Sequence, residues 1–402
     1  MDSKAPSSDA FRERVRGFLA ENLPADWAGL GAIASREEAD DFVEQWRQTL
    51  FANGLLGVSW PTEFGGAGLS KTDQVVLVEE FARAGVPVMG YNDTFGIKML
   101  GNTLLKWGTD EQRRTFLPRV LSGEDRWCQG YSEPGAGSDL KGLRCSAKLE
   151  GDKWVINGQK VWTSRAREAN WIFLLTRTDP STTDTHKGIT FLLVNMDQPG
   201  VEVRPIRALS GDSEFNEVFF SDAVTPADHV VGEVNSGWAV AMTLLGLERG
   251  EEAATNPILF RAELDRLLAM AKERGKSNDP EIRQRLADAY IRCEIMRFVG
   301  ARILQQVLTT GTLGPESSIS KLYWSEYHQR VARLALDVIG ADAMVIDGRL
   351  PLRAYRADDP GAPNTTGSWI GAFYNSTADT IYAGTSEIQR NVLGESVLGL
   401  PK

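Results

Sequence analysis

The apolar residues change their spacing twice along this chain, from a helical period to a strand period and back. That pattern calls for separate layers of helix and sheet. From about residue 9 to 125 the period is helical. Phe11, Val15, Phe18 and Leu19 share one face of a first segment, and Phe42, Trp46, Thr49 and Leu50 share one face of a second. A third helix is expected near Gln74 to Ala84. A fourth is expected over Thr109 to Leu121, opened by a capping box of Thr109 and Gln112.

From about 126 to 235 short β-branched and aromatic runs replace the helical pattern. Arg144 to Leu149 and Lys153 to Ile156 read as a hairpin turning at Glu150-Gly151-Asp152. Trp171 to Arg177, Ile189 to Asn195, Val201 to Pro205 and Glu217 to Phe220 read as further strands. From about 236 onward the helical period returns in the long segments Trp238 to Met270, Asp279 to Leu308 and Glu316 to Ile339. Arg356 to Ser368 reads as a loop. The expected architecture is α+β and multidomain: a helical domain over 1–125, a middle antiparallel β-barrel or sandwich over 126–235, and a C-terminal four-helix bundle over 236–402. The length of 402 residues agrees with two or three domains at roughly 100–200 residues each.

Composition narrows the chemistry. A net charge of −10 disfavours nucleic acid as a partner, because that binding depends on clustered Lys and Arg. No apolar run reaches the ~20 residues that span a bilayer, and no membrane role is expected. Met1-Asp2-Ser3-Lys4-Ala5-Pro6 lacks the apolar core of a signal peptide, so a cytoplasmic location is expected. Cys128, Cys145 and Cys293 are far apart, as are His186, His229 and His328, and neither set has metal-ligand spacing. Redox chemistry in such a chain calls for an organic cofactor.

Three segments carry more. Gln129-Gly130-Tyr131-Ser132-Glu133-Pro134-Gly135-Ala136-Gly137-Ser138-Asp139 offers hydroxyls, free N–H groups and small residues that let backbone approach a flat ring or a phosphate. Its Pro-Gly and Gly-Ser pairs are equally those of a surface turn. Asn157-Gly158-Gln159-Lys160-Val161-Trp162-Thr163-Ser164 sets a Trp beside two hydroxyls, either to stack on a ring or to fill the core of a hairpin. Tyr382-Ala383-Gly384-Thr385-Ser386-Glu387-Ile388-Gln389-Arg390-Asn391 reads as a helix start, which is an anion site or an ordinary cap.

Taken together, the three segments resemble the signatures of the acyl-CoA dehydrogenase family, and the resemblance covers nearly the whole chain. It implies bound FAD. Gln129, Tyr131, Ser132, Gly137 and Ser138 would line the flavin, with Ser132 on its pyrimidine side and Ser138 near the CoA pyrophosphate. Trp162 would flank the ring, Ser164 would donate toward N5, and Thr385 and Glu387 would contact FAD on the far side. The acyl-CoA would meet Ser138, Arg249, Tyr382 and Ala383. The resemblance also implies a homo-oligomer, or a heterotetramer with a homologous chain, and an electron-transfer flavoprotein as electron acceptor.

Two departures from the family pattern matter. Many members carry the catalytic glutamate where this chain has Ala383, which cannot take a proton. A second family location is a Glu-Arg pair on the first long helix of the bundle, here Glu248-Arg249. Counting from Trp238 puts Ala241, Met242 and Leu245 on one stripe, with Glu248 one turn beyond Leu244 and Leu245. A carboxyl on an apolar stripe is costly unless it has a task or a partner. Glu248 is therefore the expected base, and the alternative is a pairing on a solvated face. The second departure is Glu273-Arg274-Gly275-Lys276-Ser277, which lacks the Arg-x-x-Phe-Gly that reaches FAD in a neighbouring subunit. It leaves open a non-catalytic or half-active subunit. A flavin oxidase is a third possibility. Asp337-Val338-Ile339-Gly340-Ala341 resembles another flavin-contacting stretch of the family.

Overall fold

The computed structural model of the chain describes residues 8–247, 249–310, 314, 317–348 and 359–401. Its N-terminal layer holds α1 (Ser8–Asn22), α2 (Arg36–Ala52), α3 (Lys71–Ala84), α4 (Asn102–Trp107) and α5 (Asp110–Ser122). Local chemistry sets their starts. Ser35 with Glu38, Ser70 with Asp73, and Thr109 with Gln112 form reciprocal capping boxes, each satisfying orphan N–H groups of a first turn. Gly85 and Gly123 end α3 and α5 in the left-handed conformation. Phe11, Val15, Leu19, Trp46, Leu50 and Phe81 form the layer's core. Burying each such side chain stabilises by about 1.5–3 kcal/mol.

The middle layer is one seven-stranded sheet: β1 (Trp127–Gly130), β2 (Ser146–Glu150), β3 (Lys153–Ser164), β4 (Trp171–Arg177), β5 (Ile189–Asn195), β6 (Val201–Pro205) and β7 (Phe215–Pro226). It is mainly antiparallel, as expected. However, β1 pairs with β4 in parallel, Trp127 opposite Trp171 through Gly130 opposite Leu174, and β2 meets β4 in parallel at Ser146 and Arg177. Strands β4 and β5 are buried on both faces, which explains their unbroken apolar runs. Phe173, Leu175, Phe191 and Leu193 join the core shared with the N-terminal helices. Ile172, Leu174, Leu192 and Val194 join the core on the other face with Ile156 and Val218. Strands β3 and β7 run well past the expected Lys153 to Ile156 and Glu217 to Phe220. Bulges between Ile156 and Gly158 and between Lys160 and Thr163 break the alternation that marks a strand.

Beyond the sheet come α6 (Gly237–Leu247), α7 (Arg249–Glu273), α8 (Pro280–Thr310), α9 (Ser317–Ile339), α10 (Thr366–Asp379) and α11 (Ser386–Val392). Helices α7 to α10 form the bundle around Leu264, Leu267, Tyr327, Val331, Val338 and Trp369. The expected stripe on α6 is shifted. Val240, Ala241 and Leu244 are buried, whereas Met242 is 41% exposed.

Candidate functional site

The first two signature segments are built into one wall. Chain leaving β1 forms a loop whose Glu133 and Ala136 exchange backbone hydrogen bonds of 3.0 Å. The Glu133 carboxylate turns inward, where it accepts from Arg144 N at 2.7 Å, Cys145 N at 2.9 Å and Lys160 Nζ at 2.8 Å. Lys160, 0% exposed, also donates to the Tyr131 carbonyl at 3.1 Å. Val161 N donates to Ser132 O at 2.9 Å. A paired buried charge with its remaining valences met by backbone is the form in which such groups are tolerated. Here it clamps the loop at residues 131–133 to β3. Nothing in the sequence pattern alone gives Lys160 a role. The available signal was a lysine at an inward strand position.

The second bulge of β3 re-aims the next residue. Trp162 takes φ 61, in the left-handed region, and stands 60% exposed, edge-on to Phe215 at 6.0 Å. A bulge that turns one side chain outward beside a site is a recurrent device. Ser132 and Ser164 flank it, both partly buried. Gly135, Gly137 and Ser138 are exposed, and a Cβ added at Gly135 or Gly137 would meet nothing. Glycine at these positions therefore answers to no packing demand of the chain itself. Among the described residues, the buried Gln129 Nε2 and Thr163 Oγ1 have no hydrogen-bond partner. An upright aromatic ring, two hydroxyls, open backbone and unspent buried polar groups fit a flat, heteroatom-rich ring such as flavin.

Below this wall Arg165, at φ 57, stacks its guanidinium over Tyr91 at 4.0 Å. Burial, and then Asp40, push the Tyr91 hydroxyl well above its ordinary range. Arg36 pairs with Asp212 at 2.8 Å. Both contacts tie the N-terminal layer to loops of the sheet.

The third segment is held by the bundle. Ala383 takes φ 50, a strained setting for a residue with a Cβ that costs about 1–3 kcal/mol and persists only where neighbours enforce it. The fully buried Gln389 does so, donating from Nε2 to the carbonyls of Ala383 at 3.1 Å and Gly384 at 3.3 Å. With its carbonyl turned to Gln389, Ala383 N donates to none of the described acceptors. The Thr385 hydroxyl caps α11 by accepting from Ile388 N at 3.1 Å, so the ordinary cap is present. Glu387 is exposed, and its own backbone N–H and then Thr385 hold its carboxyl below the usual range. Tyr382, 47% exposed, donates from its hydroxyl to Asp379 Oδ1 at 2.9 Å. Glu248 lies outside the described residues. Arg249 opens α7, with its side chain likewise outside them.

A helical layer, a curled sheet bearing an aromatic-and-hydroxyl wall, and a helical bundle together define a three-domain flavoprotein oxidoreductase. Sequence profiles of the acyl-CoA dehydrogenase N-terminal, middle and C-terminal domains match residues 5–124, 128–223 and 235–398. The chain belongs to the acyl-CoA dehydrogenase family. It is 42% identical to acyl-CoA dehydrogenase IpdE1 of Mycobacterium tuberculosis, with 98% of each chain covered. Among solved structures, the steroid acyl-CoA dehydrogenase Tcur3481-Tcur3483 superposes with a TM-score of 0.80 at 31% identity over all of both chains. The ChsE4-ChsE5 complex of M. tuberculosis superposes with a TM-score of 0.78 at 29% identity, again over all of both chains. No described helix is long and apolar enough to cross a membrane.

Proposed function

We propose that this chain carries out FAD-dependent α,β-dehydrogenation of a CoA thioester to the 2-enoyl-CoA, with Glu248 as the base. The observation that carries the reading is the clamped wall of Ser132, Trp162 and Ser164, whose exposed ring and open glycines suit a flavin. Gln129, Tyr131, Ser132, Gly137 and Ser138 would hold FAD on one side, with Trp162 and Ser164 at its ring and Thr385 and Glu387 beyond it. Bound flavin supplies the hydride acceptor for the β-carbon. The chain's own groups do the rest. The free Ala383 N–H donates to the thioester carbonyl oxygen, where charge gathers as the α-proton leaves. Glu248 takes that proton, a step to which a placed base contributes typically ~10²–10⁴-fold. Ser138 would meet the CoA pyrophosphate and Arg249 would steady the thioester end, with Tyr382 lining the acyl-CoA site. Steroid-derived acyl groups are the substrate class suggested by the steroid dehydrogenase it resembles.

The same reading divides the chain at about 125 and 235, puts the protein in the cytoplasm and passes electrons to a separate electron-transfer flavoprotein. A purified protein that is yellow with FAD, and whose flavin bleaches with an acyl-CoA, supports it. Colourless protein that takes up no FAD, alone or with a homologous chain, contradicts it. A second reading, a subunit of a hetero-oligomer, rests on Arg274. Where many relatives send an arginine toward a neighbour's FAD, this one is bound within its own bundle, to Asp342 at 2.8 Å and the Ile339 carbonyl at 3.2 Å. About one flavin per chain in the isolated protein favours the homo-oligomer. Flavin near zero or one half, restored by a homologous chain, favours the hetero-oligomer.

A further inference from the structure

Four titratable groups from three helices of the bundle are buried together behind the Tyr382-Ala383 turn. His328 and Lys321 on α9, Asp379 at the end of α10 and Glu263 on α7 are each no more than 2% exposed. His328 Nδ1 lies 2.5 Å from Asp379 Oδ2, and its Nε2 lies 3.5 Å from Glu263 Oε1. Lys321 Nζ donates to the Asp379 backbone carbonyl at 2.6 Å and sits 5.6 Å from the centre of the Tyr382 ring. The other carboxylate oxygen of Asp379 receives the Tyr382 hydroxyl at 2.9 Å. One carboxylate is thus held from behind by imidazole and in turn holds the tyrosine that precedes Ala383.

Buried charge is expensive, and a bundle core of this size has no need of it for folding. What the cluster achieves is directional. Tyr382 N and Ile381 N already bond back to the Ala378 carbonyl at 3.1 and 2.8 Å, and Gln389 holds the Ala383 and Gly384 carbonyls from the far side. Ser386 N bonds to the Thr380 carbonyl at 3.0 Å, and the Tyr382 side chain adds a tether of its own through its hydroxyl to Asp379. Ala383 cannot anchor itself by its methyl side chain, so its N–H direction depends on the tethers on either side of it.

We propose that His328 and Asp379 are positioning residues that act through the Tyr382 hydroxyl to fix the Ala383 N–H toward the thioester carbonyl. The proposal rests on the dehydrogenase reading above and adds the source of that donor's alignment. Because the donor acts most on the charge that develops as the α-proton leaves, misplacing it lowers the limiting rate more than it weakens substrate binding.

The test uses the FAD-loaded protein and Tyr382→Phe, which removes one oxygen. Butyryl-CoA, isobutyryl-CoA, palmitoyl-CoA and the CoA thioester of a steroid side-chain acid are each mixed with it anaerobically. The limiting rate of flavin bleaching is expected to fall roughly tenfold or more, and the half-saturating concentration to change by less than about threefold. Amide exchange across 380–386 should speed up, with FAD content and melting temperature unchanged. Asp379→Asn keeps an oxygen for the tyrosine and should retain most of the rate, whereas Asp379→Ala should match Tyr382→Phe. Parent-like bleaching by Tyr382→Phe overturns the proposal. So does a loss that tracks FAD release or unfolding, which assigns the cluster to structure alone. A parent that bleaches with none of the four thioesters overturns the dehydrogenase reading itself, and the proposal falls with it.

Discussion

The wall at Trp162 and the turn at Ala383 share a backbone feature but are braced differently. Each puts a residue with a Cβ into the left-handed region, at φ 61 and φ 50. The wall is braced locally. Lys160, two residues before Trp162, pairs with Glu133 inside the signature loop itself, and the other bonds of the clamp run to the Tyr131 carbonyl just past β1 and to Cys145 N just before β2. The turn is braced from a distance. His328 lies 51 residues from Asp379 in sequence, and the imidazole and ammonium come from α9 while the carboxylate comes from the end of α10. A sheet can hold a ligand platform with its own strands, because register already fixes both sides. A turn leaving a bundle has no register and must borrow side chains from whatever helices pass behind it.

That contrast can be broken in order of expected effect. Lys160→Met strips the counter-ion from a buried carboxylate and should destabilise the protein by about 3–5 kcal/mol. A urea unfolding midpoint and the FAD content should fall together, since the clamp carries the wall. A loss within experimental scatter would show that the loop stands without its ion pair. Gln389→Ala leaves two inward carbonyls without their donor and should cost about 1–3 kcal/mol, less because no charge is stranded. Here amide exchange should rise in 380–386 and leave 129–139 unchanged. A rise in both segments would mean the two braces are one.

The smallest effect is a pH dependence on the sheet side. Burial lowers the pKa of His229, which packs against Phe116 and Trp171. A histidine depressed in the folded state is protonated more readily when unfolded. Stability should therefore fall as pH drops below the ordinary value of 6.5 and level off above it. Melting curves between roughly pH 8 and pH 5 should slope less in His229→Gln. An unchanged slope would assign the acid sensitivity to other groups.

Much of this was legible in the sequence, for reasons the elements make plain. Strands β4 and β5 were bounded to the residue because both faces are apolar and the runs stop at Arg177 and Asn195. The cap at Thr109 was legible because two side chains three apart suffice to define it. Helix α10 is not legible in the sequence, and its start falls within the Arg356 to Ser368 stretch that reads as loop. Gly367, Ser368, Gly371, Asn375 and Ser376 are weak helix formers, and buried packing overrides that weakness. Thr365, whose hydroxyl accepts from Ser368 N, was the available sign. Within the site, the segments at 129–139 and 158–164 could be recognised but not joined, since a bulge and a buried ion pair make the join. The His328 cluster left a fainter trace, a histidine and a lysine on the apolar face of α9 beside Trp324, Tyr327 and Val331.

The most direct test of the account is anaerobic reduction of the bound flavin by an acyl-CoA in Glu248→Gln. The substitution keeps shape and hydrogen bonding and removes the base. The account predicts full FAD content, unchanged melting and a fall in the rate of flavin reduction of ~10²-fold or more. Reduction at the parent rate would contradict it.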